Sequence, residues 1–161
     1  MSAVSPIVRV QTADFDLAAE LAALTEGRTD IGAIVTFTGL CRDEGGTLAA
    51  LELEHYPEMA EAEIRRIAAE AIERWPVQAL VAIHRIGEIA PGGNIVLIVA
   101  ASPHREAAFA AASFMMDFLK TDAPFWKKEH LKDGTSGNWV DAKDKDEEAL
   151  MRWAKISNSM V

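Results

Sequence analysis

Apolar positions along the chain change their spacing several times, and each change marks an element. Residues 7–11 read as a short strand, and residues 16–25 as a helix that Gly27 stops. Residues 33–41, AIVTFTGLC, are β-branched and aromatic, and residues 48–55 alternate apolar with polar, so both read as strands. Asp43, Glu44, Gly45 and Gly46 turn the chain between them, and the pair is expected to form a hairpin. Pro57 opens a long helix, in which Ile64, Ile67, Ala68, Ala71, Ile72 and Trp75 recur at helical spacing until Pro76 ends it. Residues 80–86 read as a strand and Pro91-Gly92-Gly93 as a turn. Residues 95–101 are apolar on both faces, which predicts a central strand. Ser102 and Pro103 then predict a helix start, serine as N-cap and proline at the first helical position. This helix should run to about Lys120 with Ala107, Ala111, Phe114, Phe118 and Leu119 inward, and Pro124 prevents much continuation. A loop with short strands follows through Trp126, Gly134 and Trp139, and residues 146–155 predict a closing helix. The mixed order gives an α+β fold, read as one domain over residues 1–161.

Composition narrows the functional classes. Half of the 161 residues are apolar and a quarter charged, as in soluble globular proteins. The net charge of −9 argues against general nucleic-acid binding, which leaves a basic footprint. Cys41 is the one cysteine, so neither a disulfide framework nor a cysteine zinc cluster can form within a chain, and a reducing cytoplasm is expected. The first residues have neither the basic nor the apolar stretch of a signal peptide, and the longest apolar run is strand-sized, so no membrane span is expected.

Three segments could carry chemistry. In Ser102-Pro103-His104-Arg105 a helix N-terminus, with its unpaired N–H groups, would combine with two cationic side chains as a phosphate site. Cations there oppose the helix dipole, which points to function, although a capped helix with two solvated side chains is the competing reading. Between Lys120 and Glu129 three lysines, Lys120, Lys127 and Lys128, interleave with Phe125 and Trp126. Crowded, partly desolvated lysines can serve as acid, base or nucleophile, whereas a basic loop with core-plugging aromatics is the plainer alternative. In residues 36–42 a strand ends in Gly39, Leu40, Cys41 and Arg42, where an arginine could clamp an anion. Cys41 could suggest a sulfur carrier, but unpaired strand cysteines are more often buried and inert. His55 and His84 stand on strands without a partner at metal-ligand spacing and read as core or surface histidines. The charge run over residues 141–148 reads as a solvated helix start, and the glycine-rich turns match no nucleotide-binding pattern.

Six segments taken in order, GAIVTFTGL (32–40), LEHYPEMA (53–60), IHRIGEIA (83–90), SPHRE (102–106), MDFLKTDAPFWKKEH (116–130) and WVDAKD (139–144), carry a resemblance. With them the chain resembles the catalytic (large) subunits of molybdopterin synthase, the MoaE family, from about Gly32 to Trp153. The resemblance implies an α/β hammerhead with an additional small antiparallel β subdomain. It implies a sulfurtransferase that makes the dithiolene of molybdopterin from cyclic pyranopterin monophosphate (precursor Z) and needs no metal or organic cofactor of its own. The implied partners are a second copy of the chain and a small ubiquitin-like sulfur carrier ending in a Gly-Gly thiocarboxylate, in a heterotetramer. By resemblance Lys120 and Lys127 are the catalytic lysines, and Arg42, His104, Arg105, Lys127, Lys128 and Glu129 bind substrate. Phe37, Leu40, Cys41, Met116 and Lys143 stand at or near pocket-lining positions, with Leu40 and Lys143 where some relatives carry a basic residue or arginine.

The implied reaction is attack by sulfur on the pterin side chain with loss of the cyclic phosphate. His104, Arg105 and Arg42 suit the phosphate, and Lys120 and Lys127 the proton transfers. On one continuous helix, His104 and Lys120 would lie roughly 24 Å apart. A site using both is therefore expected to be composite, Lys120 from one copy and His104 with Arg105 from its two-fold mate. An apolar patch near residues 115–130 is expected to receive the carrier's tail. Two rivals are a non-catalytic module that only binds a ubiquitin-like protein, and a phosphate-ester hydrolase built on the His-Arg helix start. Both leave the lysine cluster without a use.

Overall fold

The computed structural model describes residues 3–56, 58–121, 125–140 and 153. Its elements run β1 (Ile7–Gln11), α1 (Leu17–Thr25), β2 (Ala33–Leu40), β3 (Leu48–His55), α2 (Met59–Arg74), β4 (Ala79–Arg85), β5 (Gly87–Ile89), β6 (Asn94–Ser102), α3 (Arg105–Thr121) and β7 (Phe125–Leu131). They form two sheets, one of order β1-β4-β6-β2 and a smaller antiparallel one of order β5-β3-β7. The α+β expectation with an added antiparallel unit therefore holds.

The larger sheet is covered on both faces, and the period-2 alternation of its strands sorts the side chains between them. Leu80, Ala82, Ile98 and Ala100 pack with Ile64, Ile67 and Ala71 of α2 and Ala111, Phe114 and Met115 of α3. Val81, Ile83, Leu97 and Val99 pack with Leu17, Leu21 and Leu24 of α1 on the opposite face. This explains the unbroken apolar run of β6, which lies between β4 and β2 and is antiparallel to both. Asp16 caps α1, its carboxylate accepting from the Ala19 N–H at 3.1 Å.

The expected hairpin of β2 and β3 does not form. β2 pairs with β6, whereas β3 pairs with β5 and β7 in the other sheet. The backbone just past β2 is already engaged: the Cys41 N–H donates to the Gly93 carbonyl at 2.8 Å, and the Gly92 N–H to the Cys41 carbonyl at 2.7 Å. β3 instead buries Leu48 and Leu53 with Cys41 and Ile89 in a second, smaller core. The helix start at Ser102 also shifts. Ser102 is the last residue of β6, fully buried, and its hydroxyl donates to the His104 carbonyl, so α3 begins at Arg105. The three-residue β5 is an element the apolar pattern did not predict. The expected roles of Pro57 and Pro124, and the closing helix over 146–155, concern positions that lie outside the described residues except for Trp153. That residue is helical and buried, its ring meeting Trp75 and Phe114 and its indole N–H donating to Asp117.

Candidate active site

Where the two sheets meet the end of α3, a cavity of about 560 Å3 opens. Four parts of the chain place functional side chains on its wall: the end of β2 with the connection after it, β4, the last turn of α3, and β7. Lys120 belongs to that last helical turn, where the negative end of the helix dipole favours a cation. Asp117, one turn back, receives the Trp153 indole N–H and its carbonyl accepts from Thr121 Oγ1 at 2.8 Å, which ties the end of α3 to the core.

On β7 alternate side chains divide between the two faces of the small sheet. Phe125, Lys127, Glu129 and Leu131 line the cavity, together with Trp126 near the start of the strand. The Lys127 backbone is clamped on both edges, opposite Leu53 of β3 and through two hydrogen bonds, at 3.1 and 2.8 Å, with Val140. Lys128 points to the other face, its ammonium 5.5 Å from the Trp139 ring centroid. Thus Lys120, Lys127, Glu129, Arg42, Phe37, Leu40, Cys41 and Met116 share one cavity, and Lys128 does not line it. His104 and Arg105 are exposed at the opposite end of α3 and do not line it either. Lys143 lies outside the described residues.

Arg42 stands at the rim, largely exposed, with its guanidinium paired to Glu44. An incoming phosphate would have to compete with that carboxylate, a modest obstacle for so exposed a pair. Gly39 has a steric reason to be glycine: a Cβ there would sit 2.7 Å from Val96 Cγ1 and 3.4 Å from the Phe37 ring. Phe37, Leu40 and Val140 are exposed and line the cavity, so the apolar surface near its mouth comes from β2 and Val140. Within residues 115–130 the described apolar side chains are at least half-buried. Cys41 is 3 % exposed, and burial pushes its thiol up from the ordinary value, which leaves little thiolate to act as a nucleophile.

One wall residue reads from the sequence alone only as a core or surface histidine. His84, at the end of β4, is 8 % exposed and yet lines the cavity. Its ring stacks on Phe125 at 3.8 Å between centroids, and Phe125 stacks in turn on His55 at 6.0 Å. Burial holds the imidazole neutral down to about 4, with the charges of Lys120 and His55 acting in the same direction. Strand alternation carries the signal that could have found it: Leu80 and Ala82 face α3, and two residues further on so does His84.

The far face of the small sheet holds a second polar group. His130 Nε2 lies 2.8 Å from Glu52 and 4.0 Å from Glu88, and Nδ1 lies 2.8 Å from Ser136 Oγ. Donor atoms from these three residues fall within 4.8 Å of one another, a spacing that one cation could bridge. Both ring nitrogens already have protein partners, which accounts for the cluster as a cross-strand staple.

The family described as MoaE protein matches residues 10–122. A protein of Mesorhizobium japonicum named molybdopterin synthase catalytic subunit is 67 % identical over 158 residues, covering 98 % of this chain and 99 % of its own. Among solved structures, a molybdopterin biosynthesis MoaE protein from Burkholderia ambifaria is similar with a TM-score of 0.80 at 48 % identity, over 92 % of this chain and 98 % of that one. A chain from a complex of subunits 1 and 2 of molybdopterin-converting factor from Helicobacter pylori shares the fold, with a TM-score of 0.65 at 20 % identity over 89 % and 92 % of the two chains.

Proposed function

The chain belongs to the MoaE protein family, and on that premise we propose that the cavity beside Lys120 is the sulfur-transfer site of a molybdopterin synthase catalytic subunit. Molybdopterin synthase catalysis is the activity that goes with an identity of 67 % over nearly the full length of both chains. The observation that carries the site assignment is the meeting of Lys120 and Lys127, from two separate elements, on the wall of one cavity.

In this reading the C-terminal Gly-Gly thiocarboxylate of a small ubiquitin-like carrier enters past the exposed Phe37 and Leu40. Its sulfur bonds to a side-chain carbon of cyclic pyranopterin monophosphate as a carbon–oxygen bond opens, and the departing oxygen takes a proton. Lys120 and Lys127 supply and remove protons and stabilise the anionic thiocarboxylate. Water then cleaves the acyl–sulfur link and returns the carrier as a carboxylate. Glu129 and Met116 complete the wall, while Arg42, at the rim, takes part of the phosphate charge once it exchanges Glu44 for substrate.

His104 and Arg105 enter through a second copy. α3 is unbroken from Arg105 to Thr121, which at helical rise keeps its two ends roughly 24 Å apart. A two-fold pair would bring the N-terminal end of one α3 to the cavity of the other and complete two sites. Lys128, over Trp139, acts at the carrier-binding or substrate rim rather than at the reacting carbon. Residues 1–161 serve as one catalytic domain. Among the described residues no helix is long and apolar enough to cross a membrane, and we place the protein in the cytoplasm, where its single thiol stays reduced.

Reconstitution tests the assignment. The protein, a thiocarboxylated carrier and cyclic pyranopterin monophosphate are expected to yield molybdopterin. Omission of the carrier should give none, and product formed without it would overturn the reading.

A further inference from the structure

The mechanism above uses the cations of the cavity and leaves one polar group of its wall without a task. His84 is more than nine-tenths buried, among side chains chosen for packing, and a histidine is a costly way to fill such a space. Its Nδ1 lies 2.8 Å from the Arg85 carbonyl oxygen. A carbonyl only accepts, so Nδ1 carries the ring proton and Nε2 of the neutral ring is an acceptor. Among the described residues Nε2 has no hydrogen-bond partner, although the residue lines the cavity. Phe125 covers the flat of the ring and fixes its plane.

The cavity's expected ligands bring a phosphate and a thiocarboxylate, which are acceptors and cannot satisfy an acceptor. A donor must come from the protein or from an N–H group. Lys120 lines the same cavity, and its ammonium is a donor whose charge acts on the ring, although the two are not hydrogen-bonded in this structure. Resting on the functional reading above, we propose that His84 is a positioning residue for the reaction, its Nε2 accepting a hydrogen bond from Lys120 and holding that amine toward the incoming sulfur. The imidazole stays neutral to about 4, so it neither repels the ammonium nor is basic enough to take its proton. That separates a positioning role from general-base catalysis. Phe125 then has two duties: it opens the strand that carries Lys127, and it clamps the ring that orients Lys120.

Three substitutions separate this role from a packing role, because glutamine can place an amide oxygen near the Nε2 position and asparagine near the Nδ1 position. His84→Phe keeps the ring stack and loses the acceptor. Its kcat in the reconstituted reaction should fall roughly 10- to 100-fold, the loss of a hydrogen bond to a charged group, with the KM for the carrier unchanged. His84→Gln should retain more activity than His84→Asn. Wild-type activity in His84→Phe, or better rescue by asparagine than by glutamine, would overturn the proposal. A second readout needs no turnover. With 15N-labelled histidine, the His84 resonances should show Nδ1 protonated, and the Nε2 resonance should move in Lys120→Met. A protonated Nε2, or an unmoved one, would equally refute it. If the wild-type protein makes no product at all, the functional reading fails and the resonance measurement still decides the role of His84.

Discussion

At its N-terminal end α3 leaves His104 and Arg105 in solvent, on the helix pole that disfavours cations; at its C-terminal end it carries Lys120, on the pole that favours them, to the wall of the cavity. The lysine end is also the anchored one, through Asp117 to the indole of Trp153. One helix thus presents cations in two electrostatic settings. Where the helix itself stabilises the cation, the side chain, though exposed, lines a preformed cavity. Where it does not, the side chains are exposed away from that cavity and available to something outside this chain.

The strongest way to break the contrast is at the cavity. Lys120→Ala should lower molybdopterin formation by at least about 100-fold, as loss of a group acting in proton transfer does, while the carrier still binds in a pull-down or by calorimetry. Lys127→Ala should follow it closely. An alanine variant that keeps wild-type turnover would remove the lysine from the chemistry.

Acid stability sharpens the picture of the cavity wall. His84 is held neutral to about 4 in the folded protein, against about 6.5 for an unperturbed histidine. The unfolded chain therefore binds the extra proton first as pH falls, and stability drops between those values and levels off below the lower one. The loss over that window should be about 3 kcal/mol in urea unfolding, and His84→Gln should flatten this part of the profile. An unchanged profile in the variant would show that the ring is not desolvated.

Two smaller effects come from residues away from the reacting centre. Arg105→Gln should stabilise the isolated chain by about 0.5 kcal/mol, because it removes a cation from the positive helix pole, and yet reduce turnover. Stability and activity moving together would contradict the division of labour along α3. Cys41, buried and with its thiol pushed up, should resist thiol reagents in the native state and react on unfolding, and Cys41→Ala should change kcat less than about twofold.

Much of this was legible in the chain. The run 95–101 needed two covered faces, and β6 has them; the stripe of residues 64–75 needed one, and α2 packs it against α3 and the sheet. Local pattern failed where the choice of strand partner is non-local. The turn at 43–46 suited a hairpin, but the backbone of Cys41 was claimed by Gly92 and Gly93, residues whose approach no local window reports. Ser102 looked like a cap because serine before proline so often is one, whereas the sheet ended one residue later than the dipeptide suggests. The lysines of the site were visible as a crowded segment and through the family resemblance. His84 was not, since its importance depends on Phe125 and Lys120 arriving from two other elements.

The most direct test of the account is a mixed dimer. Lys120→Ala and a His104→Ala/Arg105→Ala variant, each with a different affinity tag, can be co-expressed, purified through both tags and supplied with thiocarboxylated carrier and substrate. The account requires that each parent be nearly inactive and that the mixed species recover a substantial share of activity, because one of its two cavities regains Lys120 together with an intact His104 and Arg105 from the other copy. A mixed dimer as inactive as its parents would contradict it.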